Sequence, residues 1–206
     1  MPIAAERLAG RHAVLEPLDA SHAPALLAAA DERTFEHMPA RPPTWDADGF
    51  RAYAADLNAN PRVIPHAVLD ARTGGAIGVT SLYDAVPAHR GVSIGYTWLG
   101  PASRGTPINP DMKRLLFTRA FETDLFEKGS ADAGSAIRVQ LKTDARNERS
   151  QRAMERLGFT REGTLRNHVI MPDGYLRASV IYSVIKQEWP GVKARLANRI
   201  EELSRG

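Results

Sequence analysis

Cysteine is absent from the 206 residues of this sequence. A disulfide framework and a thiolate metal site are therefore excluded, as is any mechanism that depends on a thiol nucleophile. A chain without cysteine is typical of a reducing compartment, so we expect a cytoplasmic protein. Long apolar runs are missing too, because no stretch approaches the ~20 apolar residues of a membrane span and the N-terminus lacks the core of a signal peptide. We accordingly expect no membrane association and no metal.

The net charge is also small, because 27 Lys and Arg residues nearly balance 24 Asp and Glu residues. Residues 140–166 hold seven basic and four acidic side chains, an excess of +3 that equals the net charge of the whole chain. This basic stretch is either a solvated helix face or the neighbour of an anionic ligand or partner. The length of the chain suits one hydrophobic core, so we predict a single domain over 1–206.

Hydrophobic periodicity predicts an alternation of strands and helices. Strands are predicted over 12–18, 64–84 (a hairpin), 91–100, 136–145 and 163–185 (a second hairpin). Helices are predicted over 21–32, 46–59, 110–127, 147–158 and from about 190 onward. This order predicts an α/β fold in which a mixed sheet carries helices on both faces.

The junction between the strand over 91–100 and the next helix has the composition of a phosphate site. Gly105 and Thr106 lie in the connecting loop, Asn109 is the predicted N-cap, and Pro110 is predicted at the first helical position. Backbone N–H groups at a helix N-terminus attract anions, and Arg104 and Lys113 would add full charges on either side. The alternative is an ordinary capped helix without a ligand.

A second junction of the same kind follows the strand over 136–145. Asn147 is the predicted N-cap of the helix, which places Ser150 at its third position and Met154 one turn later on the same side. Ser150 is not needed as a helix cap, because Asn147 occupies the N-cap position. We therefore predict that Ser150 faces a ligand, while Asn147 is both a cap and a ligand contact.

Together these stretches resemble the GNAT N-acetyltransferases, specifically the branch similar to the ribosomal-protein acetyltransferases RimJ and RimL. The resemblance is carried by "IGYTWL", "RGTPINPDMKRLLFTRAFE", "TDARNERSQRAMERLGFTREGTLR" and "MPDGYLRASVIYSVIKQEWPGVKARL", and it covers nearly the whole chain. It implies a central, mostly antiparallel sheet that is splayed into a V-shaped cofactor cleft.

The resemblance also implies acetyl-CoA as cosubstrate and assigns residues to it. The backbone of Tyr96, Thr97, Trp98 and Leu99 would pair with the pantetheine arm, and the loop from Arg104 to Asn109 would bind the pyrophosphate. Asn147 would hold the pantetheine, and Ser150 would lie near the thioester sulfur.

Three positions depart from the pattern of the family. Pro107 replaces the usual second glycine of the pyrophosphate loop and removes one N–H donor. Met154 stands where many relatives have the tyrosine that protonates the leaving thiolate, and Ser93 stands where relatives of this branch often carry a glutamate. The cofactor half of the site is thus better supported than the acid–base half.

Two function hypotheses follow from the resemblance. The first is an N-acetyltransferase that acts by direct attack of a primary amine, either a protein N-terminus or a small molecule, with Ser150 as proton donor and His168 or Asp84 as general base. The second is an acetyl-CoA-binding sensor or partner protein without turnover. Direct nucleic-acid binding is not expected, because the phosphates of CoA account for the basic stretch. A homodimer is expected.

Overall fold

A computed structural model describes residues 3–126 and 134–205. The strands are β1 (Leu8–Ala9), β2 (Ala13–Pro17), β3 (Val63–Asp70), β4 (Ala76–Val86), β5 (Gly91–Leu99), β6 (Arg138–Asp144), β7 (Thr160–Ile170) and β8 (Leu176–Ile185). The helices are α1 (Ala23–Ala29), α2 (Ala47–Ala59), α3 (Ile108–Glu122), α4 (Glu148–Arg156) and α5 (Trp189–Ser204).

All eight strands form one sheet in the order β1-β2-β3-β4-β5-β6-β8-β7. Neighbouring strands are antiparallel except β5 and β6. These two run parallel because α3 connects the C-terminal end of β5 to the N-terminal end of β6. The β5–β6 pairing covers four residue pairs, from Gly91 with Arg138 to Ile94 with Leu141. Beyond that point the two strands part, and a cleft opens between their C-terminal halves. The predicted mixed, mostly antiparallel sheet is confirmed.

A β-bulge in β5 marks the place where the strands part. Val79 of β4 pairs with Trp98, and Ser81 pairs with Gly95, so one extra residue is inserted in β5. The extra length is taken up at Tyr96, whose φ of 49° lies in the left-handed region. A Cβ atom at Gly95 would lie 2.6 Å from the ring of Tyr83, so only glycine fits there. The bulge bends β5 away from β6.

Hydrophobic side chains cover both faces of the sheet. On one face, α3 and α5 pack with Phe117 stacked on Trp189 at a ring-centroid distance of 5.6 Å. On the other face, α1 and α2 pack around Tyr53, whose hydroxyl accepts a hydrogen bond from Trp98 Nε1 at 3.1 Å. The side chain of Trp98 therefore belongs to the core. The prediction of helices on both faces is confirmed.

The boundaries of two predicted helices are wrong. The third starts at Ile108 instead of Pro110 and stops at Glu122, because Thr123 is extended with a ψ of 166°; the predicted end at Glu127 lies outside the described residues. The first is shorter than predicted, because a 3-10 turn precedes Ala23 and the backbone is extended at Ala30.

Candidate active site

The parting of β5 and β6 opens a cavity of about 220 Å³. The bulge of β5, from Gly95 to Thr97, lines one side and the end of β6 lines the other. Lys113 of α3 and the first turns of α4 complete the wall. The cavity is thus lined by the second helix junction that the sequence singled out, whereas the loop from Arg104 to Asn109 does not line it.

At the start of α4, Asn147 and Ser150 have separate roles. The side-chain oxygen of Asn147 accepts a hydrogen bond from the backbone N–H of Ser150 at 3.0 Å, so the predicted N-cap is present. The Ser150 hydroxyl has no hydrogen-bond partner among the described residues. Ser150, Asn147 and the buried side chain of Met154 all line the cavity. The hydroxyl is therefore available to a ligand.

The start of α3 differs from the prediction at Asn109. The N-cap position belongs to Pro107, with φ of −67°, and Asn109 is the second residue of the helix. Proline fits here because its fixed φ is already helical. Thr106 donates from its hydroxyl to Ser103 O at 2.8 Å, and Gly105 adopts a φ of 77° that favours glycine. The assignment of Asn109 as the cap is wrong, and its contact with a pyrophosphate stays a prediction.

Arg104 is held by the end of β5 and by the segment that follows α1. Its guanidinium donates to Leu99 O at 3.1 Å and to Thr34 Oγ1 at 3.1 Å, and it lies 3.8 Å from Asp31. Burial, followed by the charge of Arg149 on α4, lowers the pKa of Arg104. The guanidinium groups of Arg104 and Arg149 repel each other, and an anion bound between them would relieve that repulsion.

Arg149 is a residue that sequence reasoning missed. It was one of seven cations in the basic stretch, and nothing in its spacing set it apart. Its proximity to Arg104 exists only because β5 and β6 bring the N-termini of α3 and α4 side by side.

Lys113 lies on α3, and its contact with the phosphates of the cofactor stays a prediction. Its side chain is buried, with 8% exposed, and it lines the cavity. No residue in the described part of the chain forms a hydrogen bond or an ion pair with its ammonium group. Burial lowers the pKa of Lys113 to about 8.

A cluster of charged side chains also lines the cavity. Asp144, at the end of β6, is fully buried and accepts hydrogen bonds from Arg146 Nη2 at 2.8 Å and from the Arg146 N–H at 2.9 Å. Burial on its own would raise the pKa of Asp144, but the bonds from Arg146 outweigh it and the pKa is lowered. His37 Nδ1 lies 4.0 Å from the same carboxylate, and Arg177 is buried nearby.

The two predicted general bases have different surroundings. His168 lines the cavity, and its Nδ1 lies 3.0 Å from Ser179 Oγ. Burial, followed by the charges of Lys142 and Arg177, lowers the pKa of His168, so the imidazole is neutral at pH 7 and able to accept a proton.

Asp84 does not line the cavity. It pairs with Arg62 at 2.7 Å and with Lys142 at 3.7 Å. Its role as a base stays a prediction.

The remaining predicted contacts concern the backbone of β5. Thr97 Oγ1 lies 2.8 Å from Thr80 Oγ1, and Leu99 is buried, so their side chains are committed to the fold. The open side of β5 beyond Ile94 has no strand partner among the described residues. Ser93, by contrast, lies in the paired part of β5, opposite Gln140, and does not line the cavity.

The part of the chain that the structure describes contains neither a cluster of metal ligands nor a membrane-spanning helix. Residues 3–126 and 134–205 contain no group of three or more His, Asp or Glu side chains that could hold a metal ion. None of the helices formed by these residues is long and apolar enough to cross a membrane.

Solved structures define the class of this fold. A provisionally assigned acetyltransferase from T. thermophilus is 40% identical, with 95% of this chain and 97% of that chain covered and a TM-score of 0.84. RimJ from Mycobacterium smegmatis, solved in complex with CoA-disulfide, is 19% identical, with 96% and 94% covered and a TM-score of 0.71. At that lower identity the likeness shows the fold alone. The splayed sheet is thus an acetyltransferase fold.

The sequence matches the acetyltransferase (GNAT) domain over residues 12–160, and the chain belongs to this family. The provisionally named ribosomal N-acetyltransferase YdaF of Bacillus subtilis (strain 168) is 32% identical over 120 residues, which are 58% of this chain and 59% of YdaF. The match therefore spans somewhat more than half the length of that relative. The predicted family is confirmed, as is the predicted class, the acetyl-CoA-dependent N-acetyltransferases.

Proposed function

We propose that this chain transfers the acetyl group of acetyl-CoA to a primary amine. The observation that carries the proposal is the parting of β5 and β6 beside the N-termini of α3 and α4. An unpaired strand edge suits the amides of a pantetheine arm, and helix N-termini flanked by Arg104 and Arg149 suit its phosphates. The residues present therefore fit acetyl-CoA, which supplies an activated acetyl group when bound.

The proton that the amine loses needs an acceptor within the cavity. An amine with a pKa of ~8 at a protein N-terminus, or ~10 on a lysine-like substrate, must be deprotonated before it attacks the acetyl carbon. His168 is the base we favour, because it lines the cavity and its imidazole is neutral. The chain contains no cysteine, which supports direct attack without an acyl-thiol intermediate on the enzyme.

The acceptor is proposed as a protein N-terminal α-amine or a small-molecule amine. The name of YdaF supports a ribosomal protein, and its partial coverage leaves the small-molecule class in the same proposal. A cytoplasmic location and a homodimer are proposed as well. The absence of cysteine supports the first, and the exposed apolar side chains of Leu165, Ile170 and Leu176 support the second. Sedimentation velocity measures the oligomeric state.

A non-catalytic acetyl-CoA sensor is the alternative function. The specific observation in its favour is Met154, whose thioether cannot donate a proton at the position where many relatives have tyrosine.

One experiment separates the two functions. Acetyl-CoA turnover is followed with peptides that begin with Ser, Ala or Met, and with polyamines, amino acids and aminoglycosides, while calorimetry measures CoA binding. Release of CoA that depends on one class of amine supports the enzyme and names the acceptor. Binding without turnover across the panel supports the sensor. Absence of both binding and turnover would overturn both functions.

A further inference from the structure

Lys113 is a buried cation that the fold itself leaves unpaired. Only 8% of the residue is exposed, and none of the described residues hydrogen-bonds to its ammonium group or forms an ion pair with it. An unpaired buried charge is destabilising, and a methionine of similar length would fill the same space without that cost. A ligand that needs an ammonium group at this position would account for the lysine.

The cavity that Lys113 lines is the one lined by the bulge of β5 and by the first turns of α4. Ser150, which would lie near the thioester sulfur, and Met154, which cannot donate a proton, are both in its wall. Lys142 also lines the cavity, but it pairs with Asp84 at 3.7 Å and lies over the ring of Tyr83 at 5.2 Å. Lys113 is thus the unpaired ammonium of the described cavity wall.

We propose that Lys113 is the catalytic acid that protonates the sulfur of the departing CoA. The proposal rests on the function proposed above and assigns the role that Met154 leaves vacant. In this step the nitrogen of the acceptor amine bonds to the acetyl carbon, and the carbon–sulfur bond breaks with its electron pair on sulfur. Lys113 gives one ammonium proton to that sulfur and becomes a neutral amine. The amine proton of the acceptor passes to His168, which releases it to water at the open cleft, and that water returns one proton to Lys113.

The acidity of Lys113 suits this step. A donor works best when its pKa is close to that of the group it protonates, and a thiol has a pKa of about 8.5. The pKa of about 8 that burial gives Lys113 meets this condition, whereas an ordinary lysine at ~10.4 is too weak an acid. The Ser150 hydroxyl is weaker still, so its contribution is a hydrogen bond to the sulfur.

Other titratable and charged groups line the cavity and enter any pH dependence. They come from the loop after α1 and from β4 to β8, and they are His37, Tyr83, Tyr96, Lys142, Asp144, His168 and Arg177. Burial, and no charged neighbour, accounts for the lowered pKa of Lys113. Its titration is therefore expected to be separable from theirs.

The test compares the wild type with Lys113→Met and Lys113→Arg. Lys113→Met should lower kcat about 100-fold or more, which is the usual contribution of a general acid, and leave the Kd for CoA within about threefold. Lys113→Arg keeps the charge but cannot release a proton near neutral pH, so it should not restore kcat. The wild-type rate should fall as the pH rises above about 8, because the protonated lysine is the active form, and this limb should vanish in Lys113→Met.

A second measurement needs no acceptor amine. The thiol of bound CoA is titrated through the ultraviolet absorbance of its thiolate. A neighbouring ammonium group stabilises the thiolate, so the thiol pKa should be lower in the wild-type complex than in free CoA, and Lys113→Met should remove that difference. Lys193→Met is the control, because Lys193 pairs with Glu122 outside the cavity and its loss should leave the thiol pKa unchanged.

The outcomes are distinct. An unchanged kcat and an unchanged thiol pKa in Lys113→Met overturn the proposal, as does a tenfold or larger rise in the Kd for CoA with kcat intact, which would make Lys113 a binding residue only. Should the wild type acetylate no amine at all, the proposed function fails, while the thiol titration still tests whether Lys113 lies beside the sulfur. Folding is not a confounder, because Lys113→Met removes an unpaired charge and should melt at or above the wild-type Tm.

Discussion

Asn147 and Ser150 are three residues apart, yet the two side chains have different tasks. Asn147 accepts the N–H of Ser150 at 3.0 Å and so stabilises the start of α4. The Ser150 hydroxyl lines the cavity and has no protein partner in the described part of the chain. Removal of the Ser150 side chain should therefore affect catalysis, whereas removal of the Asn147 side chain should affect stability and CoA binding.

Ser150→Ala should lower kcat about 10-fold to 100-fold, the equivalent of one hydrogen bond to a charged group, about 1.5–3 kcal/mol. Its Tm and its Kd for CoA should stay close to those of the wild type, because the hydroxyl stabilises neither the helix nor the bound cofactor. Steady-state kinetics, melting and calorimetry measure the three quantities. A variant that melts several degrees lower but turns over normally would mean that the Ser150 hydroxyl is structural.

Asn147→Ala is the paired prediction. It should lose about 1 kcal/mol of unfolding free energy with the helix cap, and it should also bind CoA more weakly. Asn147→Asp is the control, because aspartate caps a helix equally well but lacks the amide donor. If Asn147→Asp regains stability and CoA affinity together, Asn147 acts only as a cap.

The sequence predicted some residues of the candidate site and not others. Ser150, Asn147 and Met154 were found because helical spacing places them on one side of α4. The place of Lys113 in the cavity wall had no signal in the sequence, because most other residues of that wall come from β5, β6 and α4, which are distant along the chain. His37 was missed for the same reason, since no local pattern links it to Asp144.

At the scale of secondary-structure elements, we propose that the N-termini of α3 and α4 together bind the phosphates of CoA. Arg149→Ala should weaken CoA binding, and the loss should shrink as salt rises, because screening reduces interactions between exposed charges and phosphates. Arg152→Ala is the matched control, since Arg152 lies on the same helix, is exposed and pairs with Glu148 at 2.9 Å. Calorimetry at two salt concentrations measures both. Equal losses in the two variants would contradict a specific phosphate contact.

Element type was predictable, but element ends were not. Alternating apolar residues identified the strand at 91–100, and the Thr-Gly-Gly sequence identified the turn between β3 and β4, where Gly74 has a φ of 73°. The start of α3 was misassigned, because both Pro107 and Pro110 suit the first turn of a helix and the sequence does not choose between them. The bulge at Tyr96 has no signal in the periodicity, since the insertion becomes visible only against its partner β4.

At the scale of the whole molecule, buried histidine makes stability depend on pH. His66 of β3 is buried beside Ile64 O at 3.2 Å, and burial lowers its pKa from 6.5 to about 4. Between these values the unfolded chain binds a proton that the folded chain does not, so the unfolding free energy falls as the pH falls. From pH 6.5 to pH 5 the loss should be about 1.6 kcal/mol, because the slope increases toward about 1.36 kcal/mol per pH unit as the unfolded histidine becomes protonated.

Denaturant unfolding of the wild type and of His66→Gln at several pH values measures this loss. The variant should have a smaller slope of unfolding free energy against pH, whatever its stability at neutral pH. His89→Gln is the control, because His89 is exposed and its loss should leave the slope unchanged. Parallel slopes in the wild type and His66→Gln would assign the acid sensitivity to other groups.

The parting of β5 and β6 has a consequence for hydrogen exchange along the edge of β5. Backbone amides on the open edge of β5, beyond Ile94, have no neighbouring strand on that side among the described residues. They should exchange their hydrogens with solvent quickly in the free protein and slowly once the amides of a bound molecule cover that edge. Deuterium uptake by the peptide that contains Tyr96 and Thr97 would then report occupancy directly, so that candidate ligands could be ranked before any reaction product is known.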